Sequence, residues 1–251
     1  KMMETLPLAE EHGINTVFET GARYIQEYNR EYGGKMQFIP HIKVDPSQTQ
    51  AELDDNPAAG GLRGRGLVRL GRVGGSPGPD RSRGSDRLAV ELAKYYGLPV
   101  GVGSHSLLVP IACEKHRVPC DFYVKTLHRD DYPSATPKEL RKEFIWLDGG
   151  KGWTDYMNGP NTAETVAFMQ TVKKPWIAFK VLAAGAYLPQ QGFRYAFESG
   201  ADFIAVGMLD FHIRLMMLAE AESSRTEGET NPFVARFGAW VGPSSCPSVE
   251  K

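Results

Sequence analysis

The chain has 251 residues, 41% of them hydrophobic and 24% charged, with 29 Lys and Arg against 30 Asp and Glu. That length and balance fit one large globular domain with a substantial core. A net charge of -1 argues against a polyanion-binding surface, so nucleic acid is not an expected partner.

No run approaches the roughly 20 apolar residues that a membrane helix needs, so no membrane partner is expected either. Cys113, Cys120 and Cys246 form an odd set without zinc or pairing spacing. They read as reduced thiols, and a cytoplasmic location is the expectation.

Short β-branched or aromatic runs alternate with amphipathic stretches, the pattern of a parallel sheet with crossover helices. The chain opens on Lys1 rather than Met, so a strand upstream of it is expected. The first thirteen residues then form a crossover helix with Met2, Met3, Leu6 and Ala9 on its buried side and Gly13 as its left-handed stop. Strands follow at 15–19, 36–43, 99–105, 121–127, 175–182 and 202–207, their starts separated by 21, 63, 22, 54 and 27 residues. The gap of 63 residues leaves room for one more strand between Gly60 and Arg87. With the upstream strand the count reaches eight, and the expected fold is an α/β class (β/α)8 barrel.

Residues 60–87 do not read as a strand, since they hold nine Gly and seven Arg against two Asp. A solvated basic loop is one reading. An RNA-contacting segment is disfavoured because aromatic residues for base stacking are absent. A third reading is out-of-frame translation of GC-rich DNA, which a shifted reading frame would test by revealing an apolar strand and a helix. On any of these the barrel is expected to be incomplete, with its first strand missing and its fourth replaced by the Gly/Arg-rich segment. The barrel domain is placed at 1–222, with 57–88 irregular, and a polar tail at 223–251 is expected to be poorly ordered.

Further along, Thr136-Pro137-Lys138-Glu139 and Asn161-Thr162-Ala163-Glu164 have the composition of helix starts. Between them, Leu147-Asp148-Gly149-Gly150-Lys151-Gly152-Trp153 is either a lid over the rim or a plain surface loop.

Two strands run into histidines, at Gly103-Ser104-His105 and Lys125-Thr126-Leu127-His128. One βα repeat separates them, so consecutive parallel strands would bring both to the C-terminal rim, where such barrels keep their sites. Strand alternation predicts Phe122 and Val124 outside, with Tyr123 and Lys125 inside. By the same logic Ile177, Phe179 and Val181 face outward and Lys180 inward. Phe38, Pro40 and Ile42 oppose an inner set of Gln37, Ile39, His41 and Lys43. Glu19 and His105 also fall inside. The resulting pocket is cationic and suits a small anionic substrate. Gly185 and Gly207, read as ending the seventh and eighth strands, allow close backbone approach to a phosphate or carboxylate.

The segments Gly103-Ser104-His105-Ser106, Lys125-Thr126-Leu127-His128-Arg129-Asp130 and Ser134-Ala135-Thr136-Pro137-Lys138-Glu139-Leu140 distantly resemble the sialic acid (N-acylneuraminate) synthases. This resemblance implies a divalent metal (Mn, Mg or Zn) on His105 and His128, and C–C bond synthase or lyase chemistry. The whole chain is similar to a bacterial group of aldolase-type TIM barrels. Lys125-Thr126 and Lys180 are also similar to class I aldolases of the deoxyribose-phosphate type. That likeness implies Lys125 as Schiff-base nucleophile, Lys180 as its cationic neighbour, and Glu19 or His105 as proton shuttle. His105, His128 and Asp210 match the pattern of amidohydrolase-type hydrolases.

The expected site is therefore Lys125, Lys180 and Glu19 as catalytic groups, His41, Lys43, Gly185 and Gly207 around the anion, and His105 and His128 on a metal. A non-catalytic metabolite-binding barrel and an inactive fragment remain alternatives. Assembly into a homo-oligomer is left open.

Overall fold

The computed structural model describes residues 2–19, 22–42, 67–70, 87, 90, 91, 93, 94, 97, 99–140, 162–207, 212–214 and 237–240. Eight parallel strands close into a barrel in sequence order. They are β1 (Thr16–Glu19), β2 (Gln37–Ile42), β3 (Leu67–Leu70), β4 (Val100–Ser104), β5 (Phe122–Thr126), β6 (Trp176–Phe179), β7 (Phe203–Gly207) and β8 (Phe237–Trp240). The described helices are α1 (Met2–Glu11), α2 (Ala22–Glu31), α3 (Leu108–Lys115), α4 (Thr162–Met169) and α5 (Pro189–Glu198).

The (β/α)8 barrel predicted from the strand spacing is the fold of this chain. Its described helical layer is partial, because the crossovers after β2, β3 and β7 lie largely outside the described residues.

Two strands depart from the sequence expectation. Spacing leaves room for a strand between Gly60 and Arg87 while the composition there predicts none; Leu67-Val68-Arg69-Leu70, three apolar residues in four, forms β3 inside that interval. It is held in register by Val68 opposite His41 on one side and Leu67 opposite Val100 on the other. The ring position assigned to a strand upstream of Lys1 is taken by β8, from the stretch expected to be a poorly ordered tail. Thr16 pairs with Gly238, and Val17 with Ala239. A closed ring leaves no strand edge unpaired, which is why backbone pairing recruits segments whose composition is a poor guide. The strand numbering shifts accordingly, so Gly185 follows β6 and Gly207 ends β7.

The first crossover forms as predicted. Leu6 and Ala9 are buried, Met3 packs against the core, and Gly13 ends the turn at a φ of 86°. On α2, buried Ile25 and Tyr28 face the barrel, and the Tyr28 hydroxyl donates to Glu10 at 2.6 Å, tying α2 to α1. The helix predicted after Asn161 begins at Thr162 and ends at Met169. From Thr136-Pro137 a short 3-10 turn, Lys138–Leu140, follows. The Gly-rich segment at 147–153 lies outside the described residues.

Two apolar layers define the interior. The outer one joins helix residues such as Leu6, Ile25, Val109, Cys113 and Phe193 to the strand residues Val17, Phe38, Val102, Tyr123, Trp176 and Ile204. The inner one contains only strand residues: Phe18, Ile39, Phe122, Val124, Ile177 and Phe179. The alternation predicted for β2 is therefore observed, with Phe38 outside and Ile39 inside.

For β5 and β6 the alternation is reversed. Phe122, Val124, Ile177 and Phe179 fill the barrel, while Tyr123 points out to α3, where its hydroxyl donates to Glu114 at 2.7 Å. Barrel interiors are packed with apolar side chains, so polarity was the wrong guide to the inside of a strand buried on both faces. Gly101, on the inward face of β4, makes room for this packing, since a Cβ there would lie 2.3 Å from the Phe122 ring.

Candidate functional site

The site is built at the C-terminal ends of β4, β5 and β6. Ser104 lies opposite Lys125, and Thr126 opposite Phe179, so the next residue on β4, His105, falls level with Thr126 and Phe179. Side-chain contacts agree with that register. His105 Nδ1 is 2.6 Å from Thr126 Oγ1, and its ring packs on Phe179 with centroids 5.2 Å apart. His105 thus faces inward, as alternation predicts.

Lys125 occupies a different position from the one expected. It shares the outward parity of Tyr123, and its side chain is 1% exposed. Its Nζ donates to the carbonyl oxygen of His105 at 2.7 Å and to its neighbour Thr126 O at 3.2 Å. A buried ammonium with two carbonyl acceptors ties the ends of β4 and β5 together.

Lys180 follows the end of β6 with φ at 61°, a left-handed conformation that strict strand alternation does not describe. Ala183 and Ala184 are also left-handed, at φ 45° and 55°. Non-glycine residues held in this region cost on the order of 1–3 kcal/mol each and cluster at functional sites.

His105 senses the charge of both lysines. Burial, then the charge of Lys180, then that of Lys125 push the His105 imidazole down to a pKa of about 2. His105 is therefore neutral throughout the working pH range.

His128 is buried and takes other partners. Its Nδ1 is 2.6 Å from the carbonyl oxygen of Arg129, which can only accept, so the ring proton sits on Nδ1. The ring packs edge-on to Tyr132, and Thr162 Oγ1 donates to the His128 carbonyl at 3.0 Å, docking the start of α4. His105 and His128 engage different aromatic residues. Among the described residues no group of three His, Cys, Asp or Glu stands where it could hold a metal ion.

The remaining predicted residues lie on other strands and turns. Glu19 ends β1 opposite Pro40. His41 is half-buried on β2 with the parity of Ile39. Gly185 has φ at 92°, but its N–H already donates to Leu182 O at 2.9 Å, so that amide is engaged within its own turn. Gly207 ends β7 opposite Trp240 and is exposed. Lys43 and Asp210 lie outside the described residues.

Thr126 and Phe179 are the participants that residue-type reasoning missed. The available signal was register: the offset of 21 between Ser104 and Lys125 carries His105 onto Thr126.

No protein-family model matches the sequence, and no curated protein matches it. Among solved structures, a protein from Pseudomonas aeruginosa assigned as an aldo-keto reductase is similar, with a TM-score of 0.59 and 12% identity. The likeness covers 88% of this chain and 82% of that one. A second structure of an assigned aldo-keto reductase from the same organism has a TM-score of 0.60 at 12% identity over the same shares. Neither is a sialic acid synthase. At such identity the likeness carries the fold, and the fold it carries is the TIM barrel.

Proposed function

We propose that this chain is a barrel enzyme acting on the carbonyl group of a small anionic substrate at the rim of β4 to β6. The observation that supports this reading is the convergence there of a neutral imidazole, His105, with the electrostatically coupled Lys180 and Lys125. With Nδ1 2.6 Å from Thr126 Oγ1, His105 acts in this reading as the Nε2–H tautomer, Thr126 donating to Nδ1, and so offers a neutral donor to a carbonyl oxygen. Lys180 is half-buried and lies where substrate reaches the rim, whereas Lys125 is enclosed and engaged by two carbonyls.

The chemistry that suits this set is C–C bond making or breaking of the Schiff-base kind, with the amine on Lys180. The Lys180 nitrogen displaces the carbonyl oxygen as water to give an iminium. The bond between the carbons α and β to the iminium then breaks as the β-hydroxyl loses its proton to solvent and becomes the departing carbonyl; the electron pair passes into the enamine, which is protonated at carbon and hydrolysed to free the amine. The cationic surroundings favour a substrate bearing a carboxylate or phosphate.

A second reading keeps the same carbonyl and changes the reaction. The similar solved structures are assigned as aldo-keto reductases, and an imidazole with a nearby lysine would equally polarise a carbonyl toward hydride from a nicotinamide.

Borohydride trapping with pyruvate, dihydroxyacetone phosphate and glyceraldehyde 3-phosphate, read by peptide mass spectrometry, tests the first reading. A reduced adduct on Lys180 supports it. Absence of any adduct, with NADH or NADPH consumed on aldehyde addition, replaces it with the second. Absence of both removes the carbonyl assignment.

A further inference from the structure

We propose a second anion-binding site on the outer surface, between the segment that follows His128 and the helix α5, which takes a phosphate or phosphate monoester dianion. A cavity of about 500 Å³ opens there, lined by Arg129, Gln190, Gln191, Arg194, Tyr195 and Glu198. Five of these six lie on α5 within nine consecutive residues, so they form one stripe about 12 Å long at 1.5 Å rise per residue. Arg129 comes from the other wall.

What makes this a receptor rather than a patch of surface charge is the way Arg129 is held. Its guanidinium carbon lies 5.3 Å from the centre of the Tyr187 ring, and Nη2 pairs with the Asp131 carboxylate. The Tyr187 hydroxyl donates to the other oxygen of that same carboxylate, so ring, carboxylate and guanidinium position one another. Asp131 engages only part of a five-donor fork, and the Tyr187 ring face keeps the guanidinium beside it before any ligand arrives. A pre-oriented guanidinium binds with less entropy loss than a free one.

Arg194 supplies the second guanidinium one helical turn along from Gln191, whose amide oxygen accepts from the Leu188 N–H at 3.3 Å and whose NH2 remains a donor group. Two guanidinium groups and an amide supply the several N–H donors that a phosphate dianion accepts. Glu198 lies at the far end of the stripe, where it suits the hydroxyl groups of an ester's organic part and disfavours a second anion. The site is distinct from the carbonyl site at the rim, since none of His105, Thr126 or Lys180 lines it.

Titration calorimetry of the full chain with inorganic phosphate at low ionic strength tests this. Saturable binding is expected, weakened at least tenfold in both Arg129→Gln and Arg194→Gln, and unchanged in Lys180→Ala. Arg194 is exposed and its replacement by another good helix former leaves the fold intact, which a matching thermal melt checks. Glycerol phosphate binding at least as tightly as phosphate supports the monoester assignment. Binding that survives both arginine variants and disappears in Lys180→Ala places the anion at the rim and overturns the second site, as does the absence of saturable binding to the parent chain.

Discussion

Lys125 Nζ donates to the backbone carbonyl oxygen of His105 at 2.7 Å, so the ammonium of one strand holds the end of the next. The bond does two things. It fixes the main chain from which His105 projects into the barrel, and it places a positive charge beside the imidazole that helps keep it neutral.

Lys125→Met, of similar length and without the charge, is therefore expected to destabilise the protein. The carbonyls of His105 and Thr126 lose a buried donor, a loss of about 1–3 kcal/mol by the usual cost of unsatisfied polar groups. Urea denaturation at pH 7 reads this as a lower midpoint at unchanged slope. An unchanged midpoint would show that the two carbonyls find other donors.

Lys180→Asn is expected to separate activity from stability. Asn tolerates the left-handed backbone better than Lys does, so the thermal midpoint stays level or rises. Carbonyl turnover and the borohydride adduct disappear together, because the amine is gone. A variant that keeps either of them removes Lys180 from the chemistry.

The depressed His105 pKa has a definite sign in pH–stability experiments. Unfolded, the imidazole takes up a proton near pH 6.5, while in the folded chain it stays neutral down to about 2. The unfolded state then binds more protons between those values, so stability falls as pH drops from 6.5 toward 2 and is flat with respect to this group above 6.5. His105→Asn is expected to flatten the acid limb of a midpoint-versus-pH curve recorded in chemical denaturant. The corresponding pH–rate profile should show no titration near 6.5 from this residue.

Thr126 Oγ1 lies 2.6 Å from His105 Nδ1 and orients that ring, and Thr126 is almost fully buried at 1% exposure. Thr126→Val preserves shape and removes the hydroxyl. A drop in kcat of roughly ten- to a hundredfold is expected, as for loss of a second group orienting a functional histidine. KM should change little, and Thr126→Ser should restore most of the rate. An equal loss in the Ser and Val variants would indicate packing rather than the hydrogen bond.

Gly101→Ala is expected to cost about 1–3 kcal/mol through overpacking, since the new Cβ would sit 2.3 Å from the Phe122 ring. Combining it with Phe122→Leu should recover part of that loss, because the clash is with that ring alone among the nearest atoms. Additive losses in the double variant would locate the strain in the backbone instead.

Where the sequence and the tertiary structure agree, the agreement comes from features local to one element. The 21- and 22-residue spacings of short apolar runs suffice to announce a parallel barrel, because each crossover needs a minimum length. Leu6, Ala9 and Gly13 could be placed by helical periodicity and a helix stop. His105 could be placed at the rim and inward because it follows a strand of small residues without ambiguity.

Phe122 to Thr126 marks the boundary of that kind of reasoning. Residues 123 to 126 are all buried, so neither parity is distinguished by hydrophobicity. The choice was made by the Tyr123 hydroxyl, which finds Glu114 on α3, and by Phe122 and Val124 meeting Phe18, Ile39, Ile177 and Phe179 inside. It sent Lys125 out of the interior and brought Thr126 into it. The same holds for β3 and β8, whose membership of the ring depends on neighbouring backbones needing partners more than on their own residues.

Composition and spacing were thus enough for the barrel and for the inward placement of His105. The partner of that histidine, the enclosed role of Lys125 and the left-handed turn that carries Lys180 were settled by strand register and closure. Those are long-range pairings, in which each residue's environment is supplied by segments far away in the chain.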